Sequence, residues 1–561
     1  MKTLRLSSIF TVICLFFSAC SSSDDGSDPL PLPPPDPVIA VGDDIAQFDV
    51  NFNMEPLTES ENIPSSSADA FYADYFEHKT FSKSISVVFD GDIATITEDG
   101  AQKSVSSKIT LTPGAAVEYV LSGKSADGFF KIASNAYDVK ISLAALDLTN
   151  PSGAAINVQS KSRTFLHIAD GTSNSLTDGN NYPASTTEDM KGTIFTEGRL
   201  IVSGKGNLDI FANAKNAIAS DSYILFRPGH VINISNSASN GIKAKDAVYI
   251  NGGVLNIDVS ANTAKGINSE GSITVNGGRT TIIAAGESEY NGIDLSNSAA
   301  IKCDLNFIQN AGSIALKTTG NGAKALNCNQ NITINDGELL ALVSGGKYVY
   351  NTTLSANSKG INADAAVTVS GGTVRVIVSN IVSGEAIESK TDIALKGGLI
   401  ELSSKDDCLK ALRNISISGG NLYAYSHNAD GLDCTGSVNI SGGISVITGE
   451  VENDGIDCDQ NEFTISGGTL IAIGTTNSAV TSATQKYFVY DKPITAGTVI
   501  SLADAASSDS NAFILRYKAP RDYSPCSIIL SSPAMDSASG AFLASEVSVA
   551  NPDGIFHGLA Y

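Results

Sequence analysis

Between residues 385 and 457, acidic side chains recur on a common step. GEAIES supplies Glu385 and Glu388, KDDCLK supplies Asp407 beside Lys410, NADGLD supplies Asp430 and Asp433, and ENDGID supplies Asp454 and Asp457. Aligned on the Gly-Ile or Gly-Leu step and its variants, these acids fall in two outward columns, and earlier units carry Lys243, Asn268 and Asn362 at the corresponding place. Two carboxylates ~4.8 Å apart repel by about 0.9 kcal/mol in water and roughly 3.5 kcal/mol at an effective dielectric of about 20. Such a patch needs a cation, protonation, or side chains splayed into solvent. Clustered carboxylate and amide oxygens on turns suit Ca²⁺, whereas zinc would call for His or Cys. The expectation is calcium held among Glu385, Glu388, Asp407, Asp430, Asp433, Asp454 and Asp457, with a solvated acidic edge as the alternative. For sugar contact, NLYAY places Tyr423 and Tyr425 outward with His427 close by, and Lys410 completes the expected carbohydrate-binding set. Cross-turn packing would use the same tyrosines, and Lys410 would equally balance Asp407 and Asp433. No Ser-His-Asp or P-loop pattern occurs, and no catalytic residue is assigned.

What must position these residues is a repeat. A β-branched run, a turn and a second β-branched run return eight times, as in VTVSGGTVRVIV, ISISGGNLYAY and VNISGGISVI. Gly pairs start at 252, 277, 371, 397, 419, 442 and 467, with Asp336-Gly337 as a looser copy. The steps are 25, 59, 35, 26, 22, 23 and 25 residues, so the 59 hides one weaker unit and the 35 carries an insertion. A period near 25 residues built of short strands is the signature of a solenoid. Each unit reads as three strands, one after the Gly-Ile step and one on each side of the Gly pair. Period-2 alternation, as in VNISGGISVI, points one set of side chains inward. The expected fold is all-β, a three-sheet parallel β-helix over residues 84–480, with 481–561 covering its C-terminal end and longer, less regular units capping the N-terminal end. Residues 42–83 read as irregular, and 170–190 as a polar projecting loop.

The N-terminus reads as a lipoprotein leader: Lys2 and Arg5, the apolar run IFTVICLFF, then FSAC. That order marks a cleavable signal over 1–19, and the run is too short for a membrane span of about 20 residues. Cys20 is the expected lipidated residue, followed by a Pro-rich tether to residue 41. The acidic SSSDDGSD after it is similar to surface-export signals, so an outer-membrane, surface-exposed protein is expected. A net charge of −23 argues against nucleic acid as partner. Of eight cysteines, Cys434 and Cys458 alternate inward with small residues, and no CxxC or Cys/His spacing indicates zinc. Cys303 and Cys328 stand one unit apart, where a bridge is left open.

The stretches YVLSGKSADG, ISLAALDLTNPSGAAINV, LHIADGTSNSLTDG, GTIFTEGRLIVSGKGNLDI and the serial GI-turn-GG units resemble a known family. It is that of calcium-binding, right-handed parallel β-helix carbohydrate-binding proteins related in fold to pectate lyases, and the resemblance runs from about Ser84 to Leu530. It implies a monomer that binds plant-type or acidic polysaccharide on the flank of the rod, with calcium between turns. A lyase on the same fold is the enzyme alternative, and an adhesin or structural rod without a sugar site is a third. The lyase reading would need a Lys or Arg as base beside calcium. NDGID approximates the family spacing at Asn453, Asp454 and Asp457, but residues 459–485 contain no Lys or Arg.

Overall fold

The computed structural model describes residues 61–134, 136–184, 188–379, 384–503 and 513–533, with 544–545 and 556–557. The leader, Cys20, the tether and residues 42–60 lie outside the described residues. Among those described, no helix is long and apolar enough to cross a membrane.

The chain is a parallel β-solenoid of about fourteen turns. Its clearest face is a ladder of fourteen short strands, from Lys108–Leu111 to Ile456–Asp457, each paired with its copy one turn on. The other two faces carry the strands before and after each Gly pair, and they join into one sheet because the late strands Ile415–Ser426, Val438–Thr448 and Phe463–Gly474 run through both. Parallel pairing in strict register stacks like on like. Ile242, Ile267, Ile301, Leu326, Ile361, Ile387, Leu409, Leu432 and Ile456 form one inward column, every member fully buried or within 1% of it. Burying such a side chain contributes about 1.5–3 kcal/mol, which is why the alternation fixes register. The next inward column holds Ala244, Ser269, Cys303, Cys328, Ala363, Ser389, Ala411 and Cys434. Cysteine serves there as a small apolar residue. Cys303 and Cys328 face one another at 3.1 Å between sulfurs, as free thiols.

The hidden unit in the 59-residue step turns at Ala311-Gly312, where Gly312 has φ +82°. Gly278 shows why the second position of the pair is glycine: φ is +78°, and an added Cβ would fall 2.7 Å from the Gly253 carbonyl oxygen one turn below. Corner asparagines reinforce the stack, with Asn276, Asn310 and Asn335 each donating a 2.8 Å amide bond to the asparagine of the preceding turn.

Segments outside the repeat cover two flanks. Near the N-terminus, Phe71, Phe76 and Phe81 pack on Phe165, Ile201 and Leu225. Arg227 clamps this segment through Glu61 (2.6 Å) and Glu77 (2.8 Å) and lies over the Tyr75 ring. At the other end, Ser527–Ser531 pairs antiparallel with Phe463–Gly474 and with Tyr487–Tyr490, covering strand edges that would otherwise remain open.

Candidate functional site

The fourteen-strand ladder carries the chemistry on its outward side. Register makes one outward column of Lys243, Asn268, Lys302, Asn327, Asn362, Glu388, Lys410, Asp433 and Asp457. Three residues earlier in each turn, Lys265, Ala299, Lys324 and Lys359 are consecutive, and Glu385, Asp407, Asp430 and Asp454 stand at the same point of the later turns. The face is thus basic in mid-rod and acidic toward the C-terminal end. The acids expected in two columns are in two columns; the lysine half was not foreseen.

Neutralisation differs along the acidic half. Lys359 lies 3.1 Å from Glu385 and also pairs with Glu388. Lys410 sits between Asp407 and Asp433, 2.7 Å from each. Burial opposes the charge of Lys410, but these two carboxylates outweigh it and hold the ammonium above the usual lysine range. Four of the seven expected metal ligands are therefore already paired with lysine. Asp430, Asp454 and Asp457 have no such partner among the described residues. Their contacts are with neutral donors: Asp430 Oδ1 accepts from the Asp454 amide at 2.6 Å, Asp454 accepts from the Thr476 hydroxyl, and Asp457 accepts from the Asp459 amide at 3.0 Å. Burial, together with the charges of Asp454, Asp457 and Asp433, pushes Asp430 up to about 7. Hard oxygen donors of this kind fit Ca²⁺. However, no three His, Cys, Asp or Glu side chains among the described residues converge into a ready metal cage. The fit is thus to the last turns alone and needs neutral oxygens to complete it.

The tyrosines are placed differently from expectation. Tyr425 is only 9% exposed because Arg521, from the C-terminal segment, stacks over its ring at 4.8 Å. Arg521 also donates to the carbonyls of Ser426 (2.9 Å) and His427 (3.3 Å). Tyr423 packs against the apolar cluster of Val446, Ile471, Tyr517 and Leu530. His427 bonds Ser403 Oγ at 3.1 Å, and burial first, then Lys405 and Arg521, push it down to about 4. These residues lie on the face after the Gly pair, not beside Lys410. The expected sugar-contacting set is therefore not one surface, and its aromatic part is roofed over by residues about 100 positions later.

Another feature is a matter of loop lengths. The other corners leading into the fourteen-strand ladder take no more than eight residues, but 178–191, 285–298 and 344–358 are long insertions, all at that same corner. The first does not simply project. Glu188 reaches back to Lys131 and Asn157 on the ladder, and a polar hollow of about 430 Å³ lies there, bordered by Tyr182, Asp189 and Lys215. The other two insertions are β-hairpins.

Known proteins to which the chain is similar are described as carbohydrate-binding. A family described as carbohydrate-binding domain-containing protein matches residues 105–263 and 341–431. A carbohydrate-binding domain-containing protein of Acetivibrio thermocellus is 28% identical over 149 residues, 26% of this chain and 51% of that protein. The chain thus spans about half the length of the curated relative it matches. A solved polysaccharide lyase-like protein from C. thermocellum aligns over 46% of this chain and all of its own, with 24% identity and a TM-score of 0.37.

Proposed function

We propose that this protein is a non-catalytic polysaccharide-binding rod that lays its glycan along the fourteen-strand ladder. The observation that carries the reading is the gathering of all three long insertions at the one corner bordering a charged, regularly spaced face. A rod selected only for length and stiffness has no reason to vary at a single corner, whereas binding residues collect on loops held by a rigid scaffold. The matched family description and the name of the Acetivibrio thermocellus relative support carbohydrate as the ligand. Calcium is assigned to the acidic end, with Asp430, Asp454 and Asp457 as its carboxylate ligands, where it would bridge neighbouring turns and offset their repulsion. The leader and Cys20 support a lipid anchor at the outer-membrane surface.

A lyase needs a base able to lose its proton, and Lys410, held charged between two carboxylates, is unsuited to that role. Incubation with polygalacturonate and calcium is expected to yield no unsaturated product by ultraviolet absorbance. Binding is tested by affinity electrophoresis of the full chain in gels containing neutral or acidic polysaccharides. Retardation by at least one polysaccharide is expected. None across a broad panel would leave the adhesin or structural reading.

A further inference from the structure

The lysine half of the ladder has features the acidic half lacks. Glu289–Tyr290 pairs with Leu295–Ser296 to form one insertion hairpin, and Tyr348–Val349 pairs with Ser355–Ala356 to form the other. The rings of Tyr290 and Tyr350 meet at 4.3 Å between centroids, so the hairpins touch each other. They keep apolar surface in solvent: Ile293 is 82% exposed, Val349 61% and Tyr350 50%. Both are rooted at the lysine column. Ser296 Oγ is 3.4 Å from Lys265 Nζ, and a Cβ added to Gly322 would fall 2.9 Å from Tyr348 Cβ.

Most lysines of the two columns on this half of the ladder have carboxylate partners. Lys243 pairs with Glu270, Lys302 with Asp304, and Lys359 with Glu385 and Glu388. Lys265 and Lys324 are the exceptions among the described residues. Lys265 Nζ meets only the Thr263 carbonyl at 2.6 Å and the Ser296 hydroxyl. The charges around it are Lys302, Lys243 and Asp304; those around Lys324 are Lys359, Glu388, Lys390 and Asp364. Burial first, then the neighbouring lysines, push both ammonium groups down to about 8. Register sets the fully buried Ala299 between them, with an ammonium one turn to either side. Asn268 and Asn327 offer amides in the adjoining column. Two half-buried cations with no carboxylate in contact, beside a partly exposed hydrophobic wall, make a site complementary to an anion carried on a sugar ring. Neither Lys265 nor Lys324 falls within the stretches that match the carbohydrate-binding family.

We propose that Lys265 and Lys324, one turn to either side of Ala299 and beside the Tyr290 and Tyr350 hairpins, bind an acidic group of a polysaccharide directly, without calcium. That the group is carried on a polysaccharide rests on the function proposed above; the anion site itself does not. Carboxylate and sulfate share the required chemistry, and the probes separate them.

The full chain is titrated calorimetrically in EDTA at pH 7 with trigalacturonate, with a sulfated trisaccharide, and with neutral cellotriose. One of the two acidic probes is expected to bind and cellotriose to bind less tightly. Lys265→Met with Lys324→Met keeps the aliphatic stems and should weaken that binding by about tenfold or more, as loss of charge-assisted contacts does. Lys265→Arg with Lys324→Arg should retain it, which separates charge from misfolding. Binding should also fade from pH 7 to 9.5, as the two amines lose their protons. Absence of acidic-probe binding in EDTA, or unchanged binding in the methionine variant, overturns the site. Polysaccharide binding in calcium that survives the methionine change removes only this site and keeps the broader reading.

Discussion

Replacing Tyr425 by alanine should loosen the C-terminal flank of the rod and leave glycan affinity intact. The side chain is 9% exposed beneath Arg521, so truncation is a large-to-small change in a packed site. Such changes cost about 3–5 kcal/mol for aromatic residues. The Arg521 guanidinium also loses the ring, a contact worth about 0.5–2 kcal/mol. Against this, Arg521 keeps its bonds to the Ser426 and His427 carbonyls, so a net loss of about 3 kcal/mol is expected at the low end of that sum. Solenoids open locally, so amide hydrogen exchange is the suitable assay. Peptides covering 423–427, 444–447 and 515–530 should exchange about a hundredfold faster if opening becomes about 3 kcal/mol easier. Binding of the polysaccharide retarded by wild type should change less than about twofold, since no contact to the ladder is lost. Unchanged exchange with lost binding would refute the reasoning and return Tyr425 to the sugar site.

Three further outcomes follow from the geometry. In EDTA-treated protein, added calcium should raise the thermal midpoint, by about 2.7 kcal/mol of stabilisation at a hundredfold excess over Kd, and Asp454→Ala with Asp457→Ala should abolish the rise; an equal rise in the variant removes calcium from this end. Gly278→Ala forces a Cβ to 2.7 Å from a carbonyl oxygen at φ +78° and should cost about 1–3 kcal/mol, seen as faster exchange in the turns around residues 253–284. His230 is fully buried and its pKa is pushed down to about 4 by burial. The unfolded chain therefore takes up a proton that the folded chain refuses, so stability present above about pH 6.5 is lost as pH falls toward 4, by about 3 kcal/mol. His230→Leu should flatten the denaturation midpoint across that window, and an unchanged slope would assign the acid sensitivity elsewhere.

Much of the fold is legible because register repeats the same local demand in every turn. The Gly pairs announce the turns, and the alternation in VNISGGISVI fixes which residues enter the core. The weaker unit inside the 59-residue step lacks a Gly pair because Ala311 replaces the first glycine, although Gly312 keeps the positive φ that the turn requires. The acidic columns were legible because their steps are short and uninterrupted. Lys265, Lys324 and Lys359 share one column, but the insertions at 285–298 and 344–358 make their spacings 59 and 35 residues. Only the strand pairing brings them together. The lysine partner of Glu388, Lys359, was equally a matter of neighbouring turns, whereas Lys410 beside Asp407 and Asp433 was legible. Tyr423 and Tyr425 were misplaced for a different reason. Alternation says which side of a strand a residue leaves, but not whether a segment 90 residues further on, here carrying Arg521, returns to cover it.

The central claim is that the fourteen-strand ladder binds polysaccharide, and protection by ligand tests it most directly. Hydrogen exchange is measured on the full chain with and without the polysaccharide that retards it in gels, in calcium and in EDTA. Slowed exchange confined to the strands from Lys243 to Asp457 and to the hairpins at 285–298 and 344–358 is the predicted result. Protection confined to the faces on either side of the Gly pairs, with the ladder unchanged, would contradict it.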